Sequence, residues 1–266
     1  MTNQNPKINF QHIAQSHDGS GQSIGITPTG TAYTWGPSNG LGQLGRPTDT
    51  KSSKKRQAHP VHYANEEESS IRALRGFVGG TSDAGHSAIL DSEGRLWLTG
   101  CDRWQQLGLG SPSAGAAGYT WTALWQTSFT LNPYLGSLMR DLCGQGKDGI
   151  RDVALGGDHS IVLSSNQKTV IAFGKGSEGQ LGLNSSHKPF VSSPAHAKEL
   201  SVAKGDPTKI GAVCAIRHCS IALDEEGKVW KQVGKCLSYS KGFQEALQAC
   251  RDRSKQEGLI QTSQKE

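Results

Sequence analysis

The sequence lacks a long hydrophobic run, and its first residues lack the apolar core of a secretory signal. No apolar stretch approaches the roughly 18 residues that a membrane-spanning helix requires. Residues 1–10 are polar, and Lys7 is their one charged side chain. These absences exclude a helical membrane protein and predict an intracellular protein of the cytoplasm, the nucleus or both.

Closely paired cysteines are also missing. The six cysteines are unevenly spaced and form no Cys-x-x-Cys pair. The nearest approach to a set of zinc ligands is Cys214, His218, Cys219 and Cys236. Cys219 falls in a predicted strand, which favours ordinary buried thiols over a metal site. We therefore expect free thiols in a reducing compartment, with no metal and no cofactor.

A strong charge of either sign is absent as well. The 28 lysines and arginines exceed the 23 aspartates and glutamates by only five, too little for a nucleic-acid footprint. The clustered basic residues are Lys51, Lys54, Lys55 and Arg56. They lie beside the acidic run at 66–68, which is typical of a solvated loop, with nuclear targeting or phosphate binding as alternatives.

Glycine, in contrast, is abundant. The chain has 34 glycines in 266 residues, against a usual share of about 7%. They keep no three-residue period, which excludes collagen, and apolar strand-like runs recur between them, which excludes a disordered chain. The composition predicts short strands joined by many tight turns.

One pattern recurs four times and contains much of this glycine. Its second copy reads GHSAIL, then DSEG, then RLWLTG, and later QLG. Equivalent serines lie 64, 73 and 60 residues apart, at Ser23, Ser87, Ser160 and Ser220. This period fits one four-stranded β unit with its loops. Such units must stack to bury their faces, and radial stacking gives a β-propeller.

Each copy predicts a hairpin followed by a sharp loop. The hairpin turn ends at a glycine with positive φ, and in the Gly-Gln-Leu-Gly loop the leucine is buried while the glutamine bonds loop backbone. The positions expected to carry this structural motif are Ser23, Gly36, Gln43, Leu44, Gly45, His86, Ser87, Gly94, Gly100, Gln106, Leu107, Gly108, His159, Ser160, Gly174, Gln180, Leu181, Gly182, Ser220 and Gly227.

These residues resemble the repeats of the regulator of chromosome condensation family, in which Gly-x-x-His-Ser, an apolar strand, a glycine turn and Gly-Gln-Leu-Gly recur together. The resemblance implies an all-β propeller whose repeats straddle neighbouring blades, and complete members of the family usually have seven. About four repeats here imply a partial or small propeller. A short C-terminal helix is also expected, because Phe243, Ala246, Leu247 and Cys250 have helical spacing.

The chain departs from the family pattern at both ends of the repeat array. Gln22 and Cys219 replace the motif histidine in the first and fourth copies, and no Gly-Gln-Leu-Gly follows Gly234. Three arrangements stay open: a partial propeller, a small or irregular closed ring, and a ring completed by another chain. An open ring would expose strand edges and favour self-association.

The pattern also sets the expected domain organisation. We expect an N-terminal tail at 1–8, repeats within 9–235 (about 9–45, 71–109, 150–183 and 210–235), insertions at 46–70 and 110–149, and a partly helical or disordered segment at 236–266. The second insertion holds Trp121, Trp125, Phe129, Tyr134 and Leu135. It is either a partner-binding flap or a strand with an elaborated loop, and we favour the strand.

Some matches to enzyme motifs mislead. Residues 40–45 and 174–179 fit the dinucleotide pattern Gly-x-Gly-x-x-Gly, but neither precedes a predicted helix. Ser23 sits in a Gly-x-Ser-x-Gly sequence, yet it aligns with the other repeat serines. His86 and His159 recur in the same way and are expected to be buried and bonded to neighbouring backbone. We therefore predict no catalytic residue and no enzymatic activity.

The sequence predicts a non-enzymatic protein-protein interaction scaffold. The alternative, implied by the resemblance alone, is a guanine nucleotide exchange factor for a Ran-like small GTPase. Exchange by the founding family member depends on a complete propeller and a wedge loop, and neither is recognisable here. The expected partner is a protein, a small GTPase under the alternative, and neither a nucleic acid nor a membrane.

Overall fold

The computed structural model describes residues 8–16, 20–47, 57–66, 70–81, 85–110, 125–144, 146, 149–183, 190–236 and 240–261. Fifteen strands and two helices lie in these ranges. The strands form four antiparallel sheets, which are the blades of a β-propeller. The propeller predicted from the repeats is therefore confirmed, with four blades in the described chain.

The first two blades have four strands each, ordered from the inside outward as they occur in sequence. Blade one consists of β1 (His12–Gln15), β2 (Ser23–Ile26), β3 (Ala32–Trp35) and β4 (His59–Pro60). Blade two consists of β5 (Ala73–Gly79), β6 (His86–Asp91), β7 (Leu96–Cys101) and β8 (Trp125–Leu131). The helix α1 (Leu135–Cys143) follows β8.

The last two blades differ in strand number. Blade three consists of β9 (Ile150–Leu155), β10 (His159–Ser164), β11 (Val170–Lys175) and β12 (Phe190–His196). Among the described residues, blade four consists of three strands, β13 (Ile210–Ile216), β14 (Cys219–Asp224) and β15 (Val229–Gly234). The helix α2 (Lys241–Gln256) follows β15. The expectation of four strands in every unit is thus wrong for the fourth blade, where the chain continues into a helix.

The hydrophobic core lies between the blades. Alternate residues of one strand face opposite neighbours, so Ile89 of β6 packs toward blade one, and Ala88 and Leu90 pack toward blade three. Every residue of β6 and of β10 is buried, because each strand is covered on both faces. The middle of each strand is therefore three consecutive apolar residues, Ala88–Leu90 and Ile161–Leu163, and apolar and polar residues do not alternate there.

The hairpin turns follow the glycine pattern. Gly94 and Gly227 have φ of 76° and 79°, the left-handed region that glycine adopts without a steric penalty. The third hairpin has no glycine, and Gln167 takes φ of 60° instead. The side chain of Asn166 supports that turn by accepting hydrogen bonds from the amides of Lys168 and Thr169.

The predicted C-terminal helix is confirmed as α2. Its first turn is capped by Ser240, whose hydroxyl accepts a hydrogen bond from the Phe243 amide at 3.2 Å. Phe243 and Leu247 are buried against blade four. Neither α2 nor α1 is long and apolar enough to cross a membrane.

The helix α1 was not predicted. It lies in the insertion at 110–149, where Leu135, Leu138, Met139 and Leu142 have helical spacing. Leu135 and Met139 are buried in the core between blades two and three. This insertion also supplies the outer strand β8, while Trp121 falls outside the described residues.

Two disulfides join blade four to the segment that follows it. Cys214 bonds Cys250 of α2, and Cys219 bonds Cys236, with Cα–Cα separations of 6.2 Å and 5.0 Å. The prediction of free thiols is wrong for these four, because α2 folds back onto β13 and Cys236 lies beside the start of β14. These bonds also remove the cysteine-based support for a reducing compartment. Cys101 and Cys143 are free.

The inner strands of consecutive blades contact each other around the propeller axis, from β1 to β5, β9 and β13. No comparably extensive contact joins β13 to β1 among the described strands. The helix α2 lies at this position, bonded to β13 and reaching β1 through Glu257. A helix, rather than a strand contact, therefore links the last blade to the first.

Candidate interaction site

The repeated serines and histidines form hydrogen bonds between adjacent blades. The three bonds run from Gln22 Nε2 to Ser87 Oγ (3.1 Å), between His86 Nε2 and Ser160 Oγ (3.3 Å), and between His159 Nε2 and Ser220 Oγ (2.7 Å). Each joins the motif position of one repeat to the serine of the next. The histidines are buried as expected, but these bonds go to a serine side chain rather than to backbone.

Burial prevents these pairs from acting as a nucleophile and a base. His159 and Ser220 are fully buried, so no substrate reaches them. Burial lowers the pKa of His159 to about 3, helped by the nearby His86 and His218. Ser23 lies within β2, opposite Trp35, and not in a strand-to-helix elbow. The contacts of these motif residues are structural.

The loop glutamines bond their own loops. Their side-chain Oε1 atoms accept from the amides of Leu41, Trp104 and Glu178 at 3.1, 2.9 and 2.9 Å, the acceptors being Gln43, Gln106 and Gln180. The loop leucines Leu44, Leu107 and Leu181 are buried. Gly45, Gly108 and Gly182 have φ of 58°, 62° and 58°. Two of these loops match the dinucleotide pattern. In both, a glutamine side chain accepts a hydrogen bond from a backbone amide of the loop.

Another set of repeat glycines allows close approach of two strands. A Cβ on Gly100 would lie 2.7 Å from the Cα of His86, and one on Gly174 would lie 2.8 Å from the Cα of His159. Gly36 holds the same place in the first repeat, 3.1 Å from the Cα of Gln22. Any larger residue at these positions would force the backbone apart.

Charged side chains gather at the axis on equivalent positions of the inner strands. In each blade, one inner-strand residue pairs with the residue that lies three positions after the repeat serine. This inner-strand residue is His12, Arg75, Asp152 and Ala212 in blades one to four. The array thus carries a charge or a titratable ring in three blades and a methyl group in the fourth. The helix α2 supplies two more charges beside them.

Arg253 of α2 and Glu257, the C-cap residue of this helix, complete this cluster, which we call the axial cluster. Arg253 holds Asp152 through two bonds, Nη1 to Oδ1 at 2.8 Å and Nη2 to Oδ2 at 3.0 Å. Arg75 donates to Asp152 at 2.9 Å and also contacts Glu257. His12 Nδ1 lies 3.8 Å from Glu257. One helix therefore contacts the inner strands of all four blades.

The cluster sets the protonation of its members. Burial alone would raise the pKa of Asp152, but Arg253 and Arg75 outweigh burial and hold this pKa below its ordinary value. Burial lowers the pKa of His12, although its hydrogen bond to Gly76 and the charge of Glu257 oppose that change. The buried carboxylate is thus ionised and paired with two arginines.

A cleft of about 640 Å³ opens beside the axial cluster. The four inner strands and α2 line it, and the side chain of Ile13 at its wall is half exposed. No group of three His, Cys, Asp or Glu side chains in the described residues is placed to hold a metal ion. The cleft offers apolar and charged contacts, which suit binding more than chemistry.

Sequence analysis did not single out the axial cluster. Its members do not recur as one residue type, so a search for repeated motifs passes over them. Aligning the strands before each repeat serine would have placed His12, Arg75 and Asp152 at one level. The contribution of α2 depends on tertiary packing and leaves no local signal.

A family comparison matches one part of this architecture. The regulator of chromosome condensation (RCC1) repeat family matches residues 150–180, which span β9 to the loop of the third repeat. The protein RCC2 homolog of zebrafish is 29% identical over 218 residues, which are 79% of this chain and 39% of that protein. The chain thus spans well under half the length of this curated relative.

Solved structures share the propeller fold. Prp20p from Saccharomyces cerevisiae superimposes with a TM-score of 0.61 at 19% identity, over 90% of this chain and 48% of that one. Human WBSCR16 gives a TM-score of 0.56 at 20% identity, over 79% of this chain and 44% of that one. The chain is thus similar to the repeats of the regulator of chromosome condensation family, and the family match itself covers the third copy of the pattern, at residues 150–180.

Proposed function

We propose that this chain is a non-enzymatic protein-protein interaction scaffold. The observation that carries the proposal is that the repeated serines and histidines, which in another setting could form catalytic pairs, are buried and bond blade to blade. Among the described residues, the large apolar side chains exposed at the surface are Ile13, Leu74, Tyr134, Leu142, Phe190 and Val229. Proteins with this fold serve many roles, so the site and not the fold supports the choice.

The partner we propose is a protein. Yeast Prp20p has been characterised for its binding to Gsp1p and histones, and it has been solved bound to Kap60. This chain covers less than half of that protein, so those partners do not transfer to it. Cytoplasmic or nuclear localisation belongs to the same proposal and is tested by imaging the tagged chain.

The test is affinity capture of the full chain, followed by direct binding with each purified candidate. We expect at least one protein to bind saturably near physiological salt. His159→Gln is the matched control variant, because it removes the buried histidine but leaves the surface unchanged, and binding should persist in it. Capture of no specific partner at any salt concentration would contradict the proposal.

Guanine nucleotide exchange remains the alternative function. It is not favoured, because neither the match to residues 150–180 nor the shared fold is evidence of exchange activity. A Ran-type GTPase loaded with a fluorescent guanine nucleotide separates the two functions. A scaffold leaves the rate of nucleotide release unchanged. Acceleration that rises with the concentration of the chain would replace the scaffold function with exchange.

A further inference from the structure

The outer edge of blade four has no paired strand among the described residues. In blades one to three a fourth strand pairs with the third, whereas blade four ends at β15. Within the described chain no strand pairs with the outer side of Val229–Gly234, which we call the β15 edge. An open edge presents backbone N–H and C=O groups that can accept another strand.

The other blades show which groups of the β15 edge are free. In them the equivalent residues pair outward, Leu98 with Thr130 and Ala172 with Ala195. Gln232 holds the same place in β15, opposite Ile221, the residue after the repeat serine. Gly234 corresponds to Gly100, which pairs with Gln126 of β8. The outward N–H and C=O of Gln232 and the N–H of Gly234 are thus in register for a fourth strand, while the carbonyl of Gly234 accepts a hydrogen bond from the Cys236 amide at 3.0 Å.

A comparison of two tryptophans shows what a fourth strand covers. Trp97 follows its turn glycine by three residues, is 1% exposed, and shares a core with Phe129 of the outer strand β8. Trp230 follows Gly227 in the same way, but it lies at a register shift of β15, packs on the core between blades three and four, and is half buried. Its indole Nε1 has no hydrogen-bond partner in the described residues, whereas Nε1 of Trp97 donates to Asp91. An occupant with an apolar side chain would cover Trp230.

The chain's own continuation turns away from this edge. Cys236 is bonded to Cys219 at the start of β14. From Ser240 onward the chain forms α2, which packs on the inner strand β13. The described residues after β15 therefore leave its outer side free.

Charge selects among possible occupants. The stretch 228–235 has no acidic residue, and Lys231 and Lys235 are its basic side chains besides Lys228, whose amine is paired with Glu226 at 2.6 Å. Antiparallel pairing with the β15 edge of a second copy would bring lysines together, and like charges across strands destabilise pairing. An acidic segment would instead be attracted, and apolar residues between the acids would pack on Trp230.

We propose that the β15 edge binds an extended acidic segment of another protein, which adds a fourth antiparallel strand to blade four. This inference rests on the proposed scaffold function and names the surface and the kind of partner. The backbone of Gln232 and Gly234 supplies the hydrogen bonds, Trp230 the apolar contact and the lysines the preference for acid.

The chain supplies its own probe, because β8 already fills the equivalent edge of blade two. A labelled peptide with the sequence of Trp125–Leu131, flanked by two glutamates at each end, is titrated with the full chain and followed by fluorescence anisotropy. The same peptide flanked by lysines is the control. We expect saturable binding of the acidic peptide, at least about tenfold tighter than the lysine form at low ionic strength and converging with it as salt rises.

Two substitutions at one position isolate the backbone contribution. Gln232→Pro removes an outward N–H without breaking the ladder to β14, a position where proline is tolerated. It should weaken binding at least about tenfold, since main-chain bonds give strand addition its affinity, while Gln232→Thr retains binding. Thermal melting of both variants shows whether the fold is intact. If Gln232→Pro does not fold, Lys235→Glu is used instead. This substitution should reduce the difference in affinity between the acidic and the lysine-flanked peptide.

Three results would overturn this inference. They are no saturable binding of the acidic peptide, equal binding by a folded Gln232→Pro variant, and a dimer of the chain that Gln232→Pro disperses. A partner captured by the wild-type chain that binds folded Gln232→Pro equally well would exclude the edge and leave the scaffold function standing. Absence of any captured partner would instead count against the scaffold function.

Discussion

The position that links one blade to the next is filled by glutamine in the first repeat and by histidine in the second and third. Gln22 donates to Ser87, and it also reaches the carbonyl groups of Gly79 and His86. A glutamine is thus a sufficient partner for the repeat serine, and it carries no charge at any pH. This internal replacement shows which substitutions the histidines should tolerate.

We predict that His159→Gln makes the chain less sensitive to acid. The unfolded histidine binds a proton near its ordinary pKa of 6.5, while the folded one stays neutral down to about 3. The unfolded state therefore binds more protons in this window, and stability falls as pH drops from 6.5 toward 3. Urea unfolding at several pH values should show a shallower fall in the variant. An identical fall of the free energy of unfolding with pH in the two proteins would contradict the attribution of this acid sensitivity to His159.

A second buried group titrates in the opposite direction. Asp102 holds the place of Asn39, and each accepts a hydrogen bond from the amide of the loop leucine at 2.9 Å. Burial raises the pKa of Asp102 to about 7, against the single hydrogen bond that lowers it. Asn39 also donates to the carbonyl of Arg46, a bond that a carboxylate cannot make.

We predict that Asp102→Asn stabilises the chain above pH 7. The folded carboxyl binds a proton that the unfolded one releases near 3.8, so the wild-type protein loses stability as pH rises from about 4 to about 7. The asparagine has no such loss, and the variant should gain on the order of 1 kcal/mol or more at pH 8. Urea midpoints at pH 4 and pH 8 measure this. A variant less stable than wild type at pH 8 would contradict the claim that the charged carboxylate of Asp102 destabilises the fold.

At the scale of elements, the hairpins were predictable because their signals are local. The turn at Gly94 and the apolar strand before it lie within a few residues, as do the residues whose spacing predicts α2. The helix α1 has the same spacing at Leu135, Leu138, Met139 and Leu142 and could have been found.

The disulfides and the axial cluster could not be predicted from local signals. Cysteine pairing depends on which elements meet in space, and α2 meets β13 only after the blades have stacked. The same packing brings Arg253 beside Asp152 across 101 residues of sequence. Motif spacing contains no information about such contacts.

We predict that Asp152→Asn destabilises the attachment of α2. It removes the carboxylate between Arg75 and Arg253 and leaves two cations close together, which should cost about 3 kcal/mol by the behaviour of broken buried ion pairs. The pKa of Asp152 is lowered in the fold, so its contribution to stability is present above its unfolded pKa and is lost as pH falls through the folded pKa.

The matched control for that substitution lies on the same helix. Asp252 is exposed, and its Oδ1 accepts a hydrogen bond from Gln248 at 2.9 Å. Asp252→Asn should change the free energy of unfolding by less than about 0.5 kcal/mol. Amide exchange would show faster opening of α2 in Asp152→Asn alone. Equal stability of the two variants would mean that the axial cluster does not hold the helix.

At the scale of the whole molecule, four blades are joined by three strand contacts and one helix. The inner strands meet from β1 to β13 in order, and α2 links β13 to β1. Two of the three arrangements left open by the sequence were a partial propeller and a small or irregular closed ring. The described chain combines their features, because its blades are few and a helix rather than a fifth sheet lies at the junction. The repeat count was predictable, while the role of the helix was not.

The helix α2 makes these four blades one compact body, and the mass and radius of gyration of the purified chain test this. Light scattering with small-angle X-ray scattering should give a monomer of 28.4 kDa. Its radius of gyration should be near the roughly 18 Å expected of a compact chain of this length. An extended monomer, or association at low concentration, would contradict the junction formed by α2.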